Sequence, residues 1–85
     1  MYSLLYFSIM KSHTEIRNHV KRHRLLEGNM TQQNLADRAG VTRQTILSIE
    51  KGRYNPTIGL ALRLAAVFGV PVEKLFQLEE GEKNG

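Results

Sequence analysis

Thr31 to Thr57 reads TQQNLADRAGVTRQTILSIEKGRYNPT, and its punctuation predicts two short helices meeting at a tight turn. Thr31 stands where an N-cap belongs, its hydroxyl free to accept from an unpaired backbone N–H. Leu35, Ala36 and Ala39 then form one apolar stripe at helical spacing. Gly40 ends that helix, because a left-handed turn residue is easiest for glycine. Thr42 supplies a second N-cap, Ile46 and Ile49 line the inside of the next helix, and Gly52 closes it. Ala36 is small where the two helices cross, and Val41, Ile46 and Ile49 fill the wedge between them. Such a pair holds its second helix proud of the body, where it fits a major groove about 12 Å wide.

The outward face of that second helix follows from its periodicity. At about 100° per residue, Ile46 and Ile49 point inward, while Gln44, Leu47 and Ser48 point roughly opposite. Arg43 lies on one flank and Thr45 on the other. Glutamine pairs bidentately with adenine and arginine with guanine, each good pair discriminating by about 1–3 kcal/mol. The exposed face therefore carries side chains suited to reading bases.

Working outward, the pattern turns helical from Thr14, with Ile16, Val20 and His23 or Arg24 recurring at three- or four-residue steps. Gly28-Asn29 ends that helix. Beyond the central stretch, Asn55-Pro56 marks a turn. Thr57 caps a fourth helix, with Leu60, Ala61, Leu64, Ala65 and Phe68 inward and Gly69 as its stop. Pro71 suits the first turn of a short fifth helix, with Val72, Leu75 and Phe76 inward. No stretch alternates well enough for a strand, except within Met1 to Met10 (MYSLLYFSIM). That decapeptide reads either as an appendage upstream of a working start at Met10 or as an ordered arm pairing with its twin. As a signal peptide it has the wrong flanks.

The chain has 85 residues, 41% of them hydrophobic, and no cysteine. One small domain is expected, without disulfides, thiolate metal sites or cysteine nucleophiles. No apolar run is long enough to span a bilayer, so a cytoplasmic protein with no membrane role is the expectation. The net charge is +4, and its distribution is uneven: Lys11 to Arg53 holds nine basic and four acidic residues, Tyr54 to Gly85 three basic and four acidic. A basic front half suggests one face that meets a polyanion, with nucleic acid as the leading candidate. His13, His19 and His23 include one pair a helical turn apart, but two histidines make an incomplete metal site. No cofactor motif, phosphate loop or catalytic constellation is present, so an enzyme is not expected.

With these residues in view, the chain resembles the phage-repressor and Cro-type (Xre family) helix-turn-helix transcriptional regulators. The resemblance spans roughly Ile16 to Phe76 and is most specific in Thr31 to Thr57 and in FGVPVEKLF (Phe68 to Phe76). It implies an all-α, five-helix lambda-repressor-like domain over 13–78, with a short N-terminal strand or arm as an addition (1–12) and a flexible acidic tail (79–85). The implied base readers are Arg43, Gln44, Leu47 and Ser48. The implied phosphate contacts are Gln32, Thr42, Thr45, Lys51, Arg53, Tyr54 and Asn55, which set affinity and register rather than sequence choice. Arg24 and Glu50 match a structural ion pair of the family. Three departures stand out: Arg24 to Thr31 runs one residue longer than usual, Leu47 is apolar where relatives often carry a small polar residue, and Gly59 in the first turn of helix 4 lowers its helix propensity.

The expected function is sequence-specific binding of double-stranded DNA as a homodimer on a near-palindromic operator, most simply as a repressor. One such module covers only about 600–1,000 Å² of DNA interface. Linking two makes the second contact intramolecular at an effective concentration of order mM. The candidate dimer surface is Val72, Leu75, Phe76 and Leu78, with or without the arm. The alternative is an antitoxin-like module that binds a protein partner first and DNA only secondarily.

Overall fold

The computed structural model describes residues 16–79, and the Met1 to Met10 segment lies outside them. The chain runs β1 (Ile16–Asn18), α1 (Val20–Leu26), α2 (Gln32–Ala39), α3 (Arg43–Glu50), α4 (Ile58–Phe68), α5 (Val72–Leu75) and β2 (Phe76–Leu78). The five expected helices are all present, in order.

Three of them start by the same device. Thr31, Thr42 and Thr57 have extended backbones and accept at Oγ1 from Asn34, Thr45 and Leu60 N–H, at 3.0, 3.3 and 3.2 Å. Each hydroxyl satisfies a donor that the helix cannot satisfy itself. Gly40 ends α2 at φ 74°, with Val41 N–H returning to Ala36 O at 3.0 Å, and this reversal aims α3 across α2.

The core is a single cluster: Val20, Leu35, Ala36, Ala39, Ile46, Ile49, Leu60, Leu64, Ala65, Phe68 and Leu75. α2 packs on both α3 and α4, and α1, which contributes Val20 to the cluster, packs on α3. Ala61, Val72 and Phe76, expected inside, are only half-buried. A helix of about eight residues is marginal alone in water, so α2 and α3 hold their form through this shared burial and their caps.

The entry to α1 corrects the sequence reading. The helix does not begin at Thr14: Ile16–Asn18 is extended and pairs antiparallel with Phe76–Leu78, in the register Ile16↔Leu78, Arg17↔Gln77 and Asn18↔Phe76. Ile16 is therefore 36% exposed on a strand instead of buried on a helix. Phe76 to Leu78 are held by this pairing, and the tail expected at 79–85 lies outside the described residues beyond Glu79. The sheet ends in an exposed ion pair, Arg17 Nη2 to Glu79 Oε2 at 3.0 Å, a type of contact that contributes little.

Asn18 joins this small sheet to the helical body. Its Oδ1 accepts from Val20 N–H at 3.2 Å, opening α1, and its Nδ2 donates to Ile49 O at 2.9 Å, at the end of α3. Arg63 on α4 gives a second strut, donating from Nε to Ala39 O at 3.0 Å. A cation at the C-terminus of α2 also suits the helix dipole.

Gly59 sits exposed in the first turn of α4, where an added Cβ would meet only Arg63 Nη1, at 3.9 Å. The space is open and its φ is not left-handed, so glycine there only weakens the helix. Gly59→Ala is expected to raise stability by up to about 1 kcal/mol, seen as a higher midpoint in a urea titration.

Candidate nucleic-acid interface

The surface around α3 is built on one buried interaction. Arg24 lies inside α1 at 7% exposure, and the Glu50 side chain that it meets is buried as well. Its Nε donates to Glu50 Oε2 at 2.7 Å and its Nη2 to Glu50 Oε1 at 3.0 Å, a two-pronged pairing. Its Nη1 donates to Met30 O at 2.8 Å, in the segment leading to α2. One guanidinium thus ties α1, the start of α2 and the end of α3 together. Between α1 and α2 stand two consecutive left-handed residues, Gly28 (φ 73°) and Asn29 (φ 59°), and Met30 follows with its carbonyl on this guanidinium.

Glu50 accepts a further hydrogen bond from Gln32 Nε2 at 3.0 Å, and Gln32 Oε1 accepts from Arg43 Nε at 3.3 Å. Gln32, which the resemblance assigns to a phosphate, thus has both ends of its amide engaged within the protein. Beside it lies a shallow concavity of about 530 Å³ between Asn29, Thr31, Gln33 and Arg43.

Arg43 and Gln44 are exposed, while Thr45, Leu47 and Ser48 are half-buried. Ile46 and Ile49 are at 0% and 1% exposure, so the inward face deduced from periodicity is the one observed, while only Gln44 of the three outward residues is fully exposed. Thr42 is exposed but its hydroxyl is occupied in capping α3, and it also lies 3.1 Å from Thr45 Oγ1. Gln44, Ser48 and Tyr54 border a second shallow concavity of about 310 Å³ together with Thr42 and Thr45.

After α3 the chain reverses at Gly52 (φ 74°), and Arg53 N–H returns to Ser48 O at 2.9 Å. Lys51, Arg53 and Asn55 are exposed in this loop, and Tyr54 is 40% exposed. Because Glu50 is neutralised by Arg24, the exposed cations Arg43, Lys51 and Arg53 at the two ends of α3 face no nearby carboxylate partner among the described residues. A polar helix face framed by cations is a surface matched to a nucleic-acid groove and its phosphates.

Comparison with known proteins places this geometry. The helix-turn-helix family matches residues 20–75 of the chain. The chain belongs to the Xre-like helix-turn-helix regulators. Members of this family are DNA-binding transcription regulators. An uncharacterized HTH-type transcriptional regulator of Methanocaldococcus jannaschii is 46% identical over 67 residues, covering 79% of this chain and all of the relative. One from Archaeoglobus fulgidus is 45% identical over 67 residues, covering 79% of this chain and 93% of the relative. The HTH-type regulator YgzD of Bacillus subtilis is 43% identical over 65 residues, covering 76% of this chain and 97% of its own. The lambda-repressor-like expectation for the fold therefore holds, with the two-stranded sheet as an addition to the helices.

The other candidate residues of this regulator are placed as follows. Val72 and Phe76 are half-buried and Leu78 is 63% exposed, whereas Leu75 is wholly buried in its own chain. Leu75 therefore supports the α5 surface from beneath and is not part of it. His23 packs its ring against Phe68 at 5.7 Å between centroids, and His19 Nε2 lies 3.2 Å from Gln77 Oε1. Both rings have structural neighbours. Three residues escaped the sequence reading. Asn18 and Arg63 carry no periodicity signal, because their work is done through single hydrogen bonds. Ile58 is an apolar side chain on α4 that is 77% exposed among the described residues.

The buried pair gives a stability test. Arg24→Ala should cost about 3–5 kcal/mol by urea denaturation, because Glu50 is left as an uncompensated buried charge. Arg24→Ala combined with Glu50→Gln should lose less than Arg24→Ala alone, since no charge is then stranded.

Proposed function

We propose that the chain is a sequence-specific regulator that lays α3 in the major groove of double-stranded DNA as a homodimer on a near-palindromic operator. The observation that carries this reading is the exposed pair Arg43 and Gln44 at the N-terminal end of α3, backed by two fully buried isoleucines. Base contacts in helix-turn-helix proteins come from that end of the recognition helix. Leu47 and Ser48 extend the reading face, with the Leu47 side chain suited to a thymine methyl. Lys51, Arg53, Tyr54 and Asn55 hold the backbone on one side and the α2 end, with Thr42 and Thr45, on the other.

Dimerisation in this reading uses the α5–β2 end. Leu78 and its cross-strand partner Ile16 are both exposed, Phe76 lies on the same strand, and Val72 opens the helix that leads into it. Two copies joined there would present their α3 helices about 34 Å apart, one turn of DNA. Occupying a promoter blocks polymerase, so repression is the simplest outcome, in the cytoplasm where the DNA lies. No helix among the described residues is long and apolar enough to cross a membrane. The antitoxin-like alternative drew on the apolar decapeptide, which lies outside the described residues; the polar α3 face favours DNA as the principal partner.

Random-site selection with the purified chain tests the whole reading. It should recover an inverted repeat with half-sites about 10–10.5 base pairs apart; recovery of unrelated sequences would refute specific recognition. Arg43→Ala with Gln44→Ala should erase preference for the selected site while circular dichroism stays unchanged. Arg53→Ala should weaken selected and scrambled duplexes alike and reduce the salt dependence by about one contact per subunit. An unaltered salt slope would remove Arg53 from the phosphates.

A further inference from the structure

We infer that Asn18 is a positioning residue that locks α3 to the β1–β2 end of the chain, so that the joint between two copies dictates which half-site spacing the pair of α3 helices accepts. The inference rests on the reading above, in which two copies meet at the α5–β2 end.

Asn18 stands where three elements converge. Its backbone pairs with Phe76 in the small sheet. The next residue, His19, donates its backbone N–H to Leu75 O at 2.8 Å, at the end of α5. The side chain of Asn18 is half-buried and faces two ways. Its Oδ1 accepts from Val20 N–H at the start of α1, and its Nδ2 donates to Ile49 O in the last turn of α3. The orientation of the amide is forced, because a backbone N–H only donates and a backbone carbonyl only accepts. Ile49 O also takes Gly52 N–H at 2.9 Å, so the bond from Asn18 uses the second lone pair of that oxygen. With the Ile49 side chain at 1% exposure in the core, this end of α3 is held both by packing and by its carbonyl.

The two ends of α3 thus serve different partners. Arg43 and Gln44 lie at the N-terminal end, toward the bases in the proposed complex. Ile49 lies at the other, one hydrogen bond from the strand that carries Ile16 beside Leu78. Arg24 and Glu50 tie α3 to α1 and to the start of α2. Among the described residues, the bond from Asn18 is the one hydrogen bond that ties α3 to the sheet.

The consequence is mechanical. Joining two copies raises the local concentration of the second α3 at its half-site only if the geometry lets both engage together. One base pair added between half-sites moves the second site by about 3.4 Å and turns it by about 35°. Two heads held stiffly to their joint reject that change, whereas two heads with slack at Asn18 absorb it. A stiff joint therefore contributes a specificity for spacing that no base contact supplies.

The test uses the full chain and three duplexes: the site recovered by random-site selection, the same site with one base pair inserted between its half-sites, and a single half-site. The first variant, Asn18→Asp, keeps the size of the side chain and its turn bond to Val20 N–H. A carboxylate also suits the N-terminus of α1, but it sets an acceptor against the Ile49 carbonyl. The second variant, Asn18→Ser, makes the same kind of turn bond without a charge and lacks the group that meets Ile49 O; it serves should the aspartate variant not fold. Either variant should weaken the selected site about tenfold, on the order of one hydrogen bond lost from each copy. The single half-site should change less than about twofold, and the penalty that the parent chain shows for the inserted base pair should shrink. Equal weakening of the selected site and the half-site overturns the inference, because Asn18 then supports α3 within one copy only. An unweakened selected site or an unchanged insertion penalty overturns it as well. If the parent chain binds the selected site no more tightly than the half-site, the homodimer reading fails and this inference falls with it, an outcome that appears before any substitution is made.

Discussion

The pairing of Arg24 with Glu50 governs the angle at which α3 leaves the body. Two N–H groups on two carboxylate oxygens define a plane, and the third bond, to Met30 O, fixes that plane against the start of α2. An apolar pair of the same volume could give equal or greater stability. It would not fix rotation, because apolar side chains slide over one another at little cost. Rotation is the quantity that matters here: turning α3 by one residue's worth, about 100°, would carry Gln44 off the face it shares with Ser48. A charged pair in so small a core is thus understandable as a device for direction more than for stability.

Around that pair the framework is assembled from repeated, inexpensive parts. The same threonine cap opens α2, α3 and α4, and glycines in the left-handed region end α2 and α4. Asn18 and Arg63 each donate to the last-turn carbonyl of a helix, Ile49 on α3 and Ala39 on α2. Both reading-unit helices are therefore anchored at their C-terminal ends by side chains from elsewhere in the chain. Their N-terminal ends, where DNA contact is proposed, are left to the caps and to Gln32.

Much of this was legible in the sequence, and the physical reasons are specific. Thr31, Gly40, Thr42, Ile46 and Ile49 act over one or two turns, so their meaning is carried by spacing alone, and all five do what that spacing implies. Arg24 and Glu50 lie far apart in the chain and were accessible only through likeness to a family. β1 was misread because Ile16 and Val20 sit four residues apart, which suits a helix, and three residues offer no alternation. Its extended form comes from pairing with β2, an interaction no local pattern reports. The two-sided engagement of Gln32 was hidden for a related reason: a polar residue at the start of a helix looks the same whether it faces solvent, phosphate or protein.

The two-stranded sheet has a topological consequence. Because Ile16 lies opposite Leu78, the first and last described strands run side by side, and the two ends of the described residues meet at one place. A short linker between Glu79 and Ile16 would close the backbone into a ring without disturbing a single helix. New ends could then be cut elsewhere, for example at the exposed Gly28, where even an added side chain would meet nothing within 4 Å. Circular relatives of this fold are accordingly within reach, with the helical reading unit unchanged and the loop entropy of the denatured chain reduced.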